Sequence, residues 1–168
     1  HFNIRLKDDK RYPYLKLTLN EEYPALLEVR QPKNDKAAYF GPYVSSIQMR
    51  QMVSLAKKIF KIRAGALVSE RRWRGCPWRD TSKFLEKPCL QFYISRCSGP
   101  CIQAISQEEY KASAQALHEL LQGNCNLLLR QLKAEMASAA EQLEFEKAGA
   151  VRDQIEAVQS IKIGRAHV

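Results

Sequence analysis

Apolar and polar residues alternate along a short stretch near the start of the chain. This stretch covers residues 14–19, and its pattern is typical of a half-buried β-strand. Residues 25–30, after the break at Pro24, predict a second strand. An aromatic turn over residues 39–43 follows, which either packs as a corner or contacts nucleic acid. The pattern predicts a small strand-containing N-terminal part.

An aperiodic middle segment separates this part from the helical remainder of the chain. Ser45 or Ser46 is placed to cap a helix over residues 46–60, which carries its apolar side chains on one face. Residues 61–105 show no clear periodicity and are interrupted by Pro and Gly. We therefore expect little regular structure and a modest apolar core in that segment.

Three further helices are predicted in the last third. A capping box at residues 106–109 opens a helix that runs to about Leu121 and is ended by Gly123. The next helices cover about residues 124–142 and 145–161, and the short break between them predicts an antiparallel hairpin. Two helices alone cannot bury both apolar stripes, so the hairpin needs a further partner, inside or outside the protein. The predicted fold class is α+β, with an irregular cysteine-rich segment before the hairpin.

The aperiodic segment contains four of the five cysteines. They are Cys76, Cys89, Cys97 and Cys101. Clustered thiols in a chain with no visible signal peptide more often bind metal than form disulfides. No pair has the two-residue spacing typical of zinc, and four thiolates on irregular loops also suit an iron–sulfur cluster. Zinc, an iron–sulfur cluster and ordinary buried cysteines all remain open, whereas Cys125 is expected to pack within a helix.

Positive charge is concentrated around these cysteines. The formal net charge is +9, and residues 57–96 alone hold eleven basic and three acidic side chains. Residues 106–160 hold five basic and nine acidic side chains, so the chain offers two surfaces suited to different partners. The basic segment is either a phosphate-binding surface, with Trp73 and Trp78 able to stack on exposed bases, or a solvated charged loop. Its cations are Lys57, Lys58, Lys61, Arg63, Arg71, Arg72, Arg74, Arg79, Lys83, Lys87 and Arg96.

The sequence offers no complete catalytic set. The three histidines are scattered, and neither a phosphate-binding glycine loop nor an HExxH motif is present. No apolar run is long enough to span a membrane, so we expect no membrane partner.

An ordered series of short motifs extends over about residues 2–160. It includes Asn3, Leu6-Lys7-Asp8-Asp9-Lys10, Tyr39-Phe40-Gly41-Pro42-Tyr43, Phe60-Lys61-Ile62-Arg63, Pro88-Cys89-Leu90-Gln91-Phe92-Tyr93, Cys97-Ser98-Gly99-Pro100-Cys101, Leu143-Glu144-Phe145-Glu146-Lys147-Ala148 and Arg152-Asp153-Gln154-Ile155. The series resembles the UvrC family, the incision subunits of bacterial nucleotide excision repair. The family combines an N-terminal GIY-YIG nuclease, a cysteine-rich segment, a UVR helical hairpin and a C-terminal nuclease.

The resemblance implies a division of the chain. Residues 1–45 would be the C-terminal remnant of the GIY-YIG domain and its exit, and residues 46–105 a helix with the cysteine-rich basic region. Residues 106–161 would be the helical region with the UVR hairpin, and residues 162–168 look like a foreign tail. Asn3 matches a late active-site residue of the nuclease. The rest of that site would lie upstream, so this fragment is not expected to cut DNA alone.

The resemblance also implies cofactors and partners. Cys89, Cys97 and Cys101 match family cysteines, and we take Cys76 as the fourth ligand of a [4Fe-4S] cluster, with zinc as the alternative. Mg²⁺ or Mn²⁺ would serve the missing nuclease domains. The implied partners are UvrB and damaged double-stranded DNA, and the implied location is the cytoplasm.

Two groups of residues are expected to contact these partners. The DNA-binding candidates are Lys7, Lys10, Arg71, Arg72, Arg74 and Arg79. The candidates for docking on UvrB are Phe145, Glu146, Arg152 and Asp153, although Phe145 would instead pack within the hairpin if it is an ordinary core residue. Two alternative functions remain: a zinc-stapled nucleic-acid-binding adaptor, and a UVR-bearing protein-interaction module without nuclease activity.

Overall fold

The computed structural model describes residues 12–69 and 72–166, and their side chains except those of residues 68–69, 72–73 and 161–166. Within these residues the protein is α+β, as predicted, with a five-stranded sheet followed by helices. The strands are β1 (Tyr14–Leu17), β2 (Leu26–Val29), β3 (Ala38–Phe40), β4 (Ala64–Ser69) and β5 (Arg72–Gly75). The helices are α1 (Ser46–Ile59), α2 (Leu90–Tyr93), α3 (Gln107–Gln122), α4 (Cys125–Glu141) and α5 (Phe145–Ala166), with a 3₁₀ turn at Pro100–Ile102.

The sheet joins the N-terminal strands to the cysteine-rich segment. Its strand order is β3-β1-β2-β4-β5, and only the β2–β4 pair is parallel. Parallel neighbours need a long connection, and here β3 and α1 supply it. The predicted strands β1 and β2 are confirmed. The expectation of little regular structure after residue 61 was partly wrong, because β4 and β5 form by pairing although neither alternates clearly in sequence.

The main core lies between one face of the sheet, α1 and the C-terminal helices. Leu15 and Leu17 of β1 are fully buried there, because side chains two apart in a strand share a face. Helix α1 adds its apolar stripe, which includes Met49, Met52 and Ala56. The capping role of Ser45 is confirmed, since its hydroxyl accepts a hydrogen bond from the amide of Gln48. A smaller apolar cluster covers the opposite face of the sheet.

The helices of the last third follow the predicted bounds closely. Ser106 and Glu109 form the capping box of α3, and Gly123 ends that helix with a positive φ of 99°. Helices α4 and α5 pack against each other as the predicted hairpin. The hairpin finds a partner inside the chain, because Val158 and neighbouring apolar residues of α5 join the main core beside α1. Helix α5 continues to Ala166, and so includes most of residues 162–168, which were predicted to be a foreign tail.

Candidate metal centre and neighbouring surfaces

The four clustered cysteines lie on three different pieces of backbone. Cys76 directly follows β5, where its amide donates a hydrogen bond to the carbonyl of Ala64 at 3.2 Å. Cys89 is the residue before α2, and Cys101 lies within the 3₁₀ turn. Cys97 lies in the irregular stretch between α2 and that turn. Thus a strand end, a helix start and a tight turn each present a thiol.

The fold brings three of these thiols to one small cavity and the fourth close to them. Cys76, Cys89 and Cys97 line a cavity of about 90 Å³. Cys101 is not part of this lining, but its pKa is raised partly by the charges of Cys76 and Cys89, so its thiol lies within electrostatic reach of theirs. The four predicted ligands are therefore neighbours, although up to 25 residues separate them along the chain.

Three of the metal-free thiols favour their protonated form more than a free cysteine does. The pKa of Cys97 is raised to about 11, first by burial and then by the nearby thiols Cys76, Cys101 and Cys89. Burial also raises the pKa of Cys76 and of Cys101. Backbone amides act in the opposite direction, because the N–H groups of Trp78 and Gly99 donate to Cys76 and Cys97. Thiolates at Cys76, Cys97 and Cys101 would therefore need a bound cation to persist together in this site.

The cavity walls also carry positive charge. Lys57, Arg63 and Arg96 line it together with the thiols. Cations beside a cluster of thiolates offset part of their mutual repulsion. In the part of the chain that the structure describes, no three or more His, Cys, Asp or Glu side chains form a group that could hold a metal ion.

Hydrogen bonds to the backbone hold the loop of Cys97 and Cys101 in place. The amide of Ser98 donates to the carbonyl of Lys61 at 2.9 Å, and the amide of Leu85 donates to the carbonyl of Cys101 at 2.7 Å. Gly99 occupies the left-handed region with a φ of 72°, which favours glycine. The loop is therefore fixed from both sides, by the residues that follow α1 and by those that precede Cys89.

Arg63 is the main polar link between the sheet and the cysteine-rich segment. Its side chain donates to the carbonyls of Tyr23 and Trp78 at 2.9 and 2.7 Å and to the carboxylate of Glu21 at 2.8 Å. Its amide donates to the hydroxyl of Tyr110 at 2.9 Å, and that hydroxyl donates to the carbonyl of Pro24. One buried arginine therefore connects β4 to the β1–β2 turn, to α3 and to the residues after Cys76.

Two expectations about the basic segment are corrected by this arrangement. Arg63 was grouped with the solvent-facing cations, but it is buried and paired with Glu21, so it is not a phosphate contact. Trp78 was expected to stack on bases, but it is 1% exposed. Its indole N–H donates to the carbonyl of Lys83, and its ring packs against Tyr23 and Phe84. No local sequence pattern predicts the burial of Arg63 or of Trp78, because each contacts residues that lie far away along the chain.

The other DNA-binding candidates are not gathered into one site. Arg74 and Arg79 are exposed beside the cysteine-rich segment. Arg72 belongs to β5, and its side chain lies outside the described part of the structure. Arg71, Lys7, Lys10 and the predicted nuclease remnant Asn3 lie outside the described residues altogether. Their roles stay predictions.

The candidates for docking lie at the start of α5 and along its solvent side. Phe145 is 69% exposed directly after the hairpin turn, so it does not pack within the hairpin. Leu143, in the turn, is 72% exposed and adds to the same apolar surface. Glu146, Arg152 and Asp153 are also exposed, and Arg152 lies 3.6 Å from Asp153. An exposed aromatic side chain surrounded by charged residues is typical of a protein-docking surface.

No helix in the described ranges is both long and apolar enough to cross a membrane.

Known proteins similar to this chain agree with the residue patterns. Residues 12–120 match the family model described as UvrC/Cho excinuclease, middle domain, and residues 126–161 match the UvrB/uvrC motif. The chain is 39% identical over 160 residues to the UvrABC system protein C of Acetivibrio thermocellus and 41% identical over 161 residues to that of Symbiobacterium thermophilum. Each alignment covers 95% of this chain but only 24% and 23% of the relatives. No solved structure matches the chain significantly.

The chain therefore spans about a quarter of the length of these curated relatives. The first family match includes the sheet and the cysteine cavity, and the second lies on the α4–α5 hairpin. Both agree in order and position with the motifs identified in the sequence. The chain belongs to the UvrC/Cho excinuclease family, of which it carries the middle domain and the UvrB/uvrC motif.

Proposed function

We propose that this chain is the central part of an excinuclease subunit that acts in nucleotide excision repair. In this role it contributes contact with DNA, a structural metal cluster and docking on UvrB. The observation that supports it most is that Cys76, Cys89 and Cys97 line one cationic cavity, with Cys101 within electrostatic reach of Cys97, in a chain of this family. The whole subunit is a DNA endonuclease in this proposal, and the fragment alone is not expected to cut DNA.

The metal centre in this proposal is a [4Fe-4S] cluster. Such a cluster takes four cysteine thiolates, and the cavity offers three thiols in its lining and a fourth, Cys101, within electrostatic reach of them. Zinc ligands usually come in pairs with two residues between them, whereas the nearest pair here, Cys97 and Cys101, has three residues between its members. A cluster of eight inorganic atoms fills a space between ligands, so it suits this cavity better. Its chemistry would be structural, since the protein fills every iron's outer position.

The chain's own residues prepare the cavity for such a cluster. Lys57, Arg63 and Arg96 supply positive charge beside thiolates that would otherwise repel each other. Amides of Trp78 and Gly99 donate to two of the sulfurs, which is a contact that stabilises ligating thiolates. The cluster would tie β5, α2 and the 3₁₀ turn together in a segment that has little regular structure of its own.

Docking on UvrB is assigned to the exposed start of α5. The family model matched by the hairpin is described as the UvrB/uvrC motif, which points to a shared recognition unit. Phe145 is the largest exposed apolar side chain beside the hairpin turn, and Leu143 extends its surface. Buried aromatic anchors usually carry most of the free energy of a protein interface.

A calorimetric titration of UvrB into the chain tests this docking role. Phe145→Ala is expected to weaken association by roughly 30-fold or more, because loss of an interface anchor typically costs about 2 kcal/mol or more. Leu127→Ala is the matched control, since Leu127 is 66% exposed on the same hairpin but near the other end of α4. Equal binding by the unaltered chain and Phe145→Ala would reject the assignment, and no binding by the unaltered chain would reject the docking role.

A further inference from the structure

A second, larger groove lies next to the cysteine cavity. It has a volume of about 310 Å³ and is open to solvent between α1 and the residues around α2. Helix α1 contributes Arg50, Ser54 and Lys57, and the cysteine-rich segment contributes Gln91, Ile94 and Arg96. The groove shares Lys57, Gln91 and Arg96 with the cysteine cavity, so the two sites have a common wall.

Three cations are arranged along this groove. Arg50 and Lys57 are seven residues apart on α1, which places them on the same side of the helix two turns apart. The guanidinium of Arg96 donates to the hydroxyl of Ser54 at 3.4 Å, so it lies beside the turn between them. Glu28 is the one carboxylate in the lining, and no ion pair joins it to these cations among the described residues. Positive charge therefore exceeds negative charge by two.

The lining favours phosphates over a protein partner. Its side chains are charged, polar or aliphatic, and none is aromatic, whereas protein interfaces usually depend on aromatic anchors. Cations spaced along an open groove with apolar walls, here Val53 and Ile94, match a chain of phosphates. We propose that the groove of Arg50, Lys57 and Arg96 binds the phosphodiester backbone of nucleic acid.

This assignment rests on the proposed DNA-contact role and gives it a location. The proposed DNA contact then lies on a face of α1, which is fixed by the main core, and not on the segment from Arg71 to Arg79 that the sequence suggested. It also links DNA contact to the metal centre. Arg96 directly precedes Cys97, and Gln91 follows Cys89 by two residues, so the loop that carries two proposed ligands forms one side of the groove.

The test uses the metal-loaded chain and a fluorescently labelled DNA duplex. Fluorescence anisotropy gives the affinity over a series of salt concentrations. Arg50→Ala is the informative variant, because Arg50 is exposed and lines the groove but not the cysteine cavity. Lys58→Ala is the matched control, because Lys58 is exposed on the same helix and lines neither site. Both variants remove one positive charge, so a difference between them reports position and not net charge.

Arg50→Ala is expected to weaken binding and to lower the slope of log affinity against log salt by about 1, the value for one lost phosphate contact. Lys58→Ala is expected to leave the slope unchanged. Equal effects of the two changes, or no effect of Arg50→Ala on a chain that binds DNA, would overturn the groove assignment and leave the DNA-contact role intact. Failure of the unaltered chain to bind the duplex would reject both. If Arg50→Ala weakened the binding of poly-L-glutamate but not that of DNA, the groove would be assigned to an acidic polypeptide instead.

Discussion

The α4–α5 hairpin and the cysteine-rich segment are held in shape by different forces. In the hairpin, buried side chains such as Leu132, Val151 and Ile155 recur at helical spacing, and two long helices pack along each other. In the cysteine-rich segment, α2 has four residues and none of them is buried. The first region is stabilised by a repeating local pattern, and the second by single contacts between residues far apart in sequence.

This difference has a consequence for mutation. The effect of a substitution in the hairpin on stability should depend on helix propensity and on the burial of the changed side chain. A substitution at one junction of the cysteine-rich segment should instead destabilise the whole segment. Substitutions of the same type made in both regions therefore distinguish the two kinds of stabilisation.

The largest effect is expected at Arg63. Arg63→Ala leaves the buried carbonyls of Tyr23 and Trp78 without their donor and removes the partner of Glu21. Loss of one member of a buried polar network costs about 3 kcal/mol or more. Urea unfolding of the anaerobically purified chain should show this loss in the free energy of unfolding.

Arg130→Ala is the matched change in the hairpin. Arg130 is exposed within α4, where alanine is an equally good or better helix former, so its loss should change stability by less than about 0.5 kcal/mol. A free energy of unfolding that falls by the same amount in both variants would contradict the role given to Arg63.

Glycine-to-alanine changes provide the next comparison, and they should have opposite signs. Gly75 has a φ of 119°, and a Cβ there would lie 2.6 Å from the carbonyl oxygen of Ala64 and 2.7 Å from the Cα of Gly65. The obstacle is paired backbone, which cannot move aside without disrupting β4 and β5. Gly75→Ala should therefore destabilise the fold by about 2 kcal/mol and displace Cys76.

Gly149→Ala is the smaller change, and it should stabilise the protein. A Cβ at Gly149 meets nothing within 4 Å, and the residue lies inside α5. Alanine is favoured over glycine within a helix by about 1 kcal/mol, which sets the size of the gain. Thermal unfolding followed by circular dichroism measures both glycine variants, and a lower midpoint for Gly149→Ala would show that its environment is not open.

The sequence was most informative where its signals were local. The capping box at Ser106 and the glycine at position 123 predicted both ends of α3 to within one residue, since both act through neighbouring backbone. The same holds for the hairpin, where apolar spacing predicted the two helices and the short break between them predicted their antiparallel packing.

The inward turn of Arg63 could not be predicted, because its partners Glu21 and Trp78 lie 42 and 15 residues away. Neighbouring cations such as Lys61 have the same local surroundings in sequence, and yet Lys61 is exposed. The position of Cys76 beside the other thiols depends on the pairing of β4 with β5, which shows no clear alternation. The clustered cysteines suggested a metal site, which stays a proposal, and only the fold gives the cavity beside them and its cationic wall.

In the proposed metal centre, the four thiols hold an iron–sulfur cluster that fixes the cysteine-rich segment. Iron, acid-labile sulfide and zinc measured on anaerobically purified chain test this proposal. We expect about four iron and four sulfide ions per chain, no stoichiometric zinc, and a loss of iron in Cys76→Ser that does not occur in Cys125→Ser. One zinc ion per folded chain, or a folded chain without either metal, would contradict it.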